Sequence, residues 1–123
     1  MMNIDAHIRF AERKDINQII ALCSLHAAHE KVPYNIEGKA ECLKEDIFSP
    51  TPKLYCLVVE NQGVLLGYAT YMRQYATWDA CEYIYMDCLF IKEFVRGYGL
   101  GEKLVNKIKQ EGKKLKCDLI QWQ

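Results

Sequence analysis

Three glycines behind one arginine form the part of the sequence best suited to bind a ligand. Arg96, Gly97, Gly99 and Gly101 follow an apolar segment, residues 88–91, and precede a basic amphipathic one. Glycine permits positive φ angles and lets a ligand approach the backbone closely. The first N–H groups of a helix lack internal partners, and the helix dipole is positive there. The pattern therefore predicts an anion site, suited to phosphate, where a strand turns into a helix.

Two common nucleotide-binding motifs are excluded at this position. Residues 96–101 do not have the Gly-x-Gly-x-x-Gly spacing of a dinucleotide-binding turn. No Gly-Lys-Ser/Thr follows, so the segment is not a P-loop either. What remains is Arg-x-x-Gly-x-Gly after a strand. The alternative to a phosphate site is a tight strand-to-helix turn that binds no ligand.

The charge distribution favours a phosphate-rich ligand over nucleic acid. The 123-residue chain has a formal net charge of zero, yet residues 92–116 carry eight Lys or Arg against three Glu. A basic helix beside the glycines suits a ligand with several phosphates, whereas the neutral whole disfavours nucleic acid. The acidic remainder suits a cationic substrate, or is simply a solvated surface.

The same composition predicts a cytoplasmic protein that does not enter a membrane. Half of the residues are hydrophobic, as in a globular domain. The longest apolar run is too short to cross a membrane, and residues 1–9 lack the apolar core of a signal peptide.

The cysteines and histidines do not predict a metal site. The six cysteines form no Cys-x-x-Cys pair, and most lie in apolar segments, which favours reduced thiols in the core. His26 and His29 are three residues apart near the end of a predicted helix. No third ligand has matching spacing, so we interpret them as favourable charge at a helix C-terminus.

The elements that must position these residues follow from hydrophobic periodicity and from Gly and Pro punctuation. Strands are predicted at 7–11, 54–60, 64–75, 82–91 and 117–123. Helices are predicted after Asp15 as N-cap, over 37–48, and after the glycines to about Leu115. The order β-α-α-β-β-β-α-β predicts a single α/β (α+β) domain, residues 1–123, whose mixed sheet carries helices on both faces.

The sequence resembles the GNAT superfamily of N-acetyltransferases. The resemblance is carried by Arg96 to Gly101 after a strand, and by Ile8-Arg9-Phe10-Ala11 with Asp15-Ile16. Three further segments resemble the spermidine/spermine (diamine) N-acetyltransferase branch: Gly67-Tyr68-Ala69, Tyr75-Ala76-Thr77-Trp78 and Tyr85-Met86-Asp87. The resemblance implies the acyl-CoA N-acyltransferase fold, acetyl-CoA as cosubstrate, and direct acetyl transfer to a primary amine of a small molecule, with polyamines among the candidates.

The resemblance also implies roles for individual residues. Asp87 stands where the diamine branch has a glutamate proposed to help deprotonate the amine, and is one methylene shorter. Tyr75 and Trp78 match an aromatic patch near the acceptor pocket. Ordinary packing is the alternative for these two, and a hydrogen-bonded strand position is the alternative for Asp87. The implied coenzyme-binding residues are Leu89, Phe90 and Ile91 along the pantetheine arm and Arg96, Gly97, Tyr98, Gly99, Leu100, Gly101 and Glu102 around the pyrophosphate.

The resemblance ends with the fifth strand. The family's next helix, its last two strands and a tyrosine that often protonates the leaving thiolate have no counterpart within the 123 residues. We therefore expect an incomplete domain with an exposed sheet edge that a second copy covers, giving a homodimer. The alternatives are a relative with little or no activity, a coenzyme-binding module, or a purely oligomeric module.

Overall fold

The computed structural model describes residues 5–122, which form a five-stranded sheet with three α-helices. The observed order of elements confirms the predicted one. Two short 3-10 turns, Arg13–Asp15 and Glu93–Val95, precede the first and third helices. The elements are β1 (His7–Phe10), α1 (Ile16–His29), α2 (Lys39–Phe48), β2 (Tyr55–Asn61), β3 (Val64–Ala76), β4 (Cys81–Ile91), α3 (Leu100–Lys114) and β5 (Ile120–Trp122).

The sheet has the simple order β1-β2-β3-β4-β5, with antiparallel neighbours except for the parallel pair β4 and β5. The parallel pair encloses the glycine segment and α3, as the strand-helix-strand pattern predicts. β5 begins at Ile120 rather than at 117, and Gln123, the predicted end of this strand, lies outside the described residues. β5 pairs only with Ile84–Met86 of β4. The part of β4 beyond Met86 therefore has no strand beside it on that side among the described residues.

A β-bulge interrupts β4 at Asp87. Met86 pairs with Tyr71 and Cys88 pairs with Thr70, so Asp87 is an extra residue without a partner on β3. A bulge bends its strand and redirects the side chains that follow. The periodicity of the sequence predicts an uninterrupted strand here, so the bulge is a feature that only the structure reveals.

The bulge changes which side chains of β4 face which helix. Before it, Ile84 and Met86 pack on the face covered by α3; after it, Leu89 and Ile91 do. Phe90 therefore points to the opposite face, where α1 lies. Regular alternation from Ile84 would have placed Phe90 on the face of α3.

Two apolar cores lie on the two faces of the sheet, as predicted for a three-layer arrangement. On one face, Leu100, Leu104 and Ile108 of α3 are buried against the sheet. On the other, Ile19 and Leu22 of α1 pack against Tyr68 and Phe90. No helix in residues 5–122 has both the length and the apolar character needed to cross a membrane.

Asp15 stands at the N-cap position of α1, as predicted, but its side chain does not cap this helix. The carboxylate instead accepts the Glu12 N–H at 2.7 Å and two bonds from the Arg9 guanidinium, at 2.7 and 3.0 Å. Glu60 is a second acceptor for Arg9. The hydrogen bond from Arg9 holds the pKa of the buried Asp15 below its usual value. The role of Asp15 is therefore to tie β1 to the start of α1.

Candidate active site

The glycine loop lies between β4 and α3, and two of its glycines need the conformation that only glycine adopts readily. Gly97 and Gly99 have φ angles of 89° and 77°, and Gly99 is the N-cap of α3. A Cβ atom built at either residue would have no neighbour within 4 Å. The loop therefore presents bare backbone to open space.

Six successive N–H groups of this loop, from Gly97 to Glu102, have no hydrogen-bond acceptor in the described part of the chain. The N–H groups on both sides do have acceptors. Arg96 donates to the carbonyl oxygen of Glu93 at 3.2 Å, and Lys103 donates to that of Gly99 at 3.1 Å. Unpaired amides at the positive end of a helix form a site suited to an anion such as a diphosphate.

Arg96 joins the glycine loop to the end of β4. Its Nε donates to the carbonyl oxygen of Ile91 at 2.8 Å, and its guanidinium carbon lies 5.3 Å from the centroid of the Phe90 ring. The terminal nitrogens of the guanidinium have no partner among residues 5–122. Arg96 therefore holds the strand end in place and still presents positive charge beside the free amides.

A cleft of about 450 Å³ opens in front of the loop. The end of β4 and the loop form one wall, and the last turn of α1 forms the other. Eight of the ten predicted coenzyme-binding residues line it: Leu89, Phe90, Ile91, Arg96, Gly97, Gly99, Leu100 and Gly101. The other two, Tyr98 and Glu102, are exposed at the loop but do not line the cleft.

The wall formed by α1 contributes His26, His29 and Glu30, which the sequence did not assign to the site. The His26 ring stacks on Phe90, with centroids 5.1 Å apart and planes 22° from parallel. Its Nδ1 is 2.8 Å from the hydroxyl of the buried Tyr68. Burial lowers the pKa of His26 below its usual value. His26 and His29 do lie in the last turn of α1, as predicted, but the burial of His26 opposes the positive charge that the prediction gives it there.

Asp87, the extra residue of the bulge in β4, directly follows Met86 and is exposed. Its carboxylate accepts a hydrogen bond from the Cys88 thiol at 3.7 Å. Its charge also acts on His26, raising the pKa of that ring against the larger effect of burial. Asp87 therefore stands near the cleft without lining it, and its role with an amine stays a prediction.

Tyr75 and Trp78 lie at the far end of the β3–β4 hairpin. Their side chains are 63% and 100% exposed and do not line the cleft. Tyr75 is four residues beyond Tyr71, which pairs beside the bulge, and this places it roughly 13 Å further along the strand. The structure does not bring the two aromatic residues to Asp87, and their role in substrate binding stays a prediction.

The described residues contain no group of three or more His, Cys, Asp or Glu side chains arranged to hold a metal ion. The polar groups at or near the cleft are backbone amides, Arg96, the two histidines and the carboxylates of Glu30 and Asp87.

The five-stranded mixed sheet, with an open amide loop between its fourth strand and third helix, defines the acyl-CoA N-acyltransferase fold. The chain belongs to the GNAT acetyltransferase family, whose sequence model, described as Acetyltransferase (GNAT) family, matches residues 8–123. This match confirms the family and the fold that the sequence analysis predicts.

Two curated relatives are thialysine N-epsilon-acetyltransferases. The protein from Bos taurus is 33% identical over 109 residues, which are 82% of this chain and 64% of that protein. The protein from Sus scrofa is 31% identical over the same shares. The chain thus spans 64% of the length of these relatives.

Solved structures share the fold at low sequence identity. A predicted acetyltransferase with acetyl-CoA from Clostridium acetobutylicum superposes with a TM-score of 0.83 at 15% identity, covering 96% of this chain and 80% of that one. An aminoglycoside acetyltransferase from an uncultured soil metagenomic sample gives 0.81 at 18% identity, covering 98% and 80%.

Proposed function

We propose that this protein transfers an acetyl group from acetyl-CoA to a primary amine of a small molecule. The observation that carries the proposal is the run of six unpaired N–H groups, Gly97 to Glu102, at the start of α3. They adjoin a cleft that leads along the end of β4. Membership of the GNAT family supports the same conclusion.

The chain offers separate contacts to the diphosphate and to the pantetheine arm of acetyl-CoA. The amides of the glycine loop and the free nitrogens of Arg96 hold the diphosphate. The edge of β4 beyond Met86, which β5 leaves unpaired, holds the pantetheine arm as an added strand would be held. Leu89 is the better residue for this pairing, because the carbonyl of Ile91 already accepts a bond from Arg96. Acetyl-CoA itself supplies an activated thioester.

The acceptor must reach the thioester as a neutral amine. An alkyl amine has a pKa of about 10, so most of it carries a proton near neutral pH. Glu30 at the cleft and the exposed Asp87 supply negative charge that would attract such a cation. We propose that Asp87 binds the ammonium group and helps to remove its proton, directly or through water.

Direct transfer to the amine is favoured over a covalent cysteine intermediate. Cys88 is the cysteine that directly precedes the cleft-lining residues of β4, and burial raises the pKa of its thiol. A protonated thiol is a poor nucleophile. The surroundings of Cys88 therefore disfavour the thiolate that would have to take up the acetyl group.

The substrate class is a small compound with a terminal primary amine. Relatives that share about a third of the aligned residues are named for thialysine, a small amino acid with such an amine. The diamine-branch resemblance adds polyamines to the candidates. The predicted homodimer and cytoplasmic location stay predictions, and analytical sedimentation checks the first of them.

Calorimetric titration with acetyl-CoA, followed by a thiol-release assay with thialysine and spermidine, tests the proposal. Binding together with amine-dependent thiol release is the expected result. Binding without release from any amine would reduce the protein to a coenzyme-binding module. Absence of binding would overturn the assignment of the glycine loop.

A further inference from the structure

We propose that His26 carries the proton of the transfer reaction, taking it from the attacking amine at Nε2 and passing it to the leaving sulfur. This inference rests on the proposed acetyl transfer and adds a catalytic residue that the sequence motifs do not indicate. It follows from where the ring is placed, how it is oriented and which of its nitrogens is free.

The position of His26 is suited to this role because the ring is fixed at the cleft and still accessible. Its side chain is 20% exposed, and the ring lies on Phe90, a residue of the β4 end that borders the cleft. The stacking is closer to parallel than that of His29, whose ring is tilted by 58° at 6.3 Å from Phe90. His29 also has no hydrogen bond in the described part of the chain. His26 is thus the oriented histidine of the two.

In this proposal the neutral His26 ring carries its proton on Nδ1, beside the Tyr68 hydroxyl. The Tyr68 hydroxyl lies 2.8 Å from Nδ1 of His26, and Tyr68 belongs to the buried cluster against which Cys23 and Cys88 pack. When the hydroxyl proton is directed to a sulfur, the phenolic oxygen accepts the Nδ1–H of His26. That tautomer leaves Nε2 as the acceptor. Nε2 has no hydrogen-bond partner among residues 5–122, and the nearest carboxylate oxygen, of Glu30, is 4.0 Å away.

The charged and titratable groups around His26 come from four elements. His29 lies on α1 and Glu30 is its C-cap, Tyr68 lies on β3, and Asp87 lies on β4. Arg96 contacts the same Phe90 ring from the glycine loop. Burial is the largest influence and lowers the pKa of His26, while Glu30 and Asp87 oppose it. Burial thus favours the neutral ring, which is the form that can accept a proton.

The reaction balances without any further reactant. The lone pair of the neutral amine attacks the thioester carbon, so a nitrogen–carbon bond forms and the carbon–sulfur bond breaks. The nitrogen becomes far more acidic as it forms this bond, and its proton moves to Nε2 of His26. The imidazolium then gives that proton to the departing thiolate, and the neutral histidine returns. One residue thus acts in turn as base and as acid.

The test compares His26→Asn and His26→Gln with His7→Asn, a matched change of an exposed histidine on β1. Asparagine retains a donor for Tyr68 but cannot accept a proton. We expect kcat to fall about 100-fold in both His26 variants. The dissociation constant of acetyl-CoA should not change, which also shows that the variants fold. His7→Asn should match the wild type.

The pH profile gives a second, independent measure. On a logarithmic plot, wild-type kcat/KM should rise about twice as steeply with pH below the pKa of His26 as above it, because both the amine and the ring must lose a proton there. The His26 variants should show a single slope. Nitrogen-15 spectra of the neutral ring should place the proton on Nδ1.

Three results would overturn the role of His26. They are wild-type turnover in the folded His26 variants, a two-slope profile that persists in them, and a neutral ring with its proton on Nε2. An inactive wild type would overturn the proposed acetyl transfer itself and the role of His26 with it. The two failures are therefore distinguishable.

Discussion

Two helices of this protein begin behind a glycine in nearly the same conformation, yet of these two glycines only Gly99, before α3, lines the cleft of the candidate site. Gly38 precedes α2 with a φ of 75°, and Gly99 precedes α3 with a φ of 77°. Neither helix has a side-chain cap, and a Cβ atom at either glycine would meet nothing within 4 Å. The conformation of the glycine therefore does not by itself make a binding site.

The surroundings of the two helix starts account for the difference. Before α2, the Asn35 side chain accepts the Glu37 N–H at 3.0 Å and the Ile36 carbonyl accepts the Lys39 N–H at 3.1 Å. None of the residues of α2 is buried. α3, in contrast, is anchored by Leu100 and other buried residues, and the loop before it follows the end of β4. The N–H groups from Gly97 to Glu102 at its start have no acceptor in the described part of the chain. A rigid position and unused donors together make the site.

The largest difference between the N-terminal ends of α2 and α3 is expected in acetyl-CoA binding, when Gly99→Val is compared with Gly38→Val. Both changes force a branched side chain into the left-handed region, at a cost of about 1–2 kcal/mol of stability. Only Gly99→Val also fills the space in front of the free amides, so it should abolish acetyl-CoA binding. Calorimetric titration and thermal unfolding of both variants measure the two effects. Wild-type affinity for acetyl-CoA in Gly99→Val, or an equal loss of affinity in Gly38→Val, would contradict the proposed difference between the two glycines.

The start of α1 is a third case, in which the carboxylate of the N-cap residue, Asp15, is already bonded to Arg9 and to the Glu12 N–H. Asp15→Asn removes the charge that pairs with Arg9 and should cost about 3 kcal/mol of unfolding free energy, the low end for a broken buried pair because Arg9 keeps Glu60. Urea unfolding measures this loss, and acetyl-CoA affinity should not change. A loss of acetyl-CoA affinity equal to that of Gly99→Val would mean that the N-terminal ends of α1 and α3 are not independent.

The stability contributed by Asp15 should depend on pH in one direction. Its folded pKa lies below the usual value, so the contribution is complete above the unfolded pKa of about 4. It is lost as the pH falls through that value toward the folded pKa. The difference in unfolding free energy between wild type and Asp15→Asn should therefore shrink in acid. A difference that is constant from neutral to acidic pH would contradict the ion pair.

The smallest effect is expected from Arg96→Ala, for which Arg13→Ala is a matched control. Arg96 lies 5.3 Å from the Phe90 ring and bonds a carbonyl; Arg13 lies 5.4 Å from the Phe48 ring and bonds the Phe48 carbonyl at 3.4 Å. Loss of a charged contact to the diphosphate should weaken acetyl-CoA binding about tenfold in Arg96→Ala. Arg13→Ala should bind normally. Equal affinities in titration would assign Arg96 a structural role only.

The sequence predicts the order of elements and the position of the glycine loop because both depend on local signals. Proline, glycine and apolar spacing mark the boundaries, and the glycines at 97 and 99 mark the required positive φ angles. The bulge at Asp87 could not be predicted in this way. It depends on how β4 pairs with a strand that is distant in the chain, which spacing within β4 does not encode.

The role of His26 was missed for the same physical reason. Its neighbours Tyr68 and Phe90 belong to other strands, and Tyr68 is 42 residues away. One local signal was present, since His26 follows the buried Leu22 by one helical turn and thus lies near the apolar face of α1. Asp15 shows the opposite case, in which the position was predicted correctly and the bonding partner was not.

The extra residue in β4 separates two stretches of strand that are each in step with β3. If Asp87 were deleted, Cys88 would follow Met86 directly, and these two residues already pair with the successive residues Thr70 and Tyr71. Every later side chain of the strand would therefore keep its layer, and a shortening by this one residue should cost the sheet little. What the deletion would remove is the exposed carboxylate near the cleft, so the bulge serves to present Asp87 rather than to support the strand.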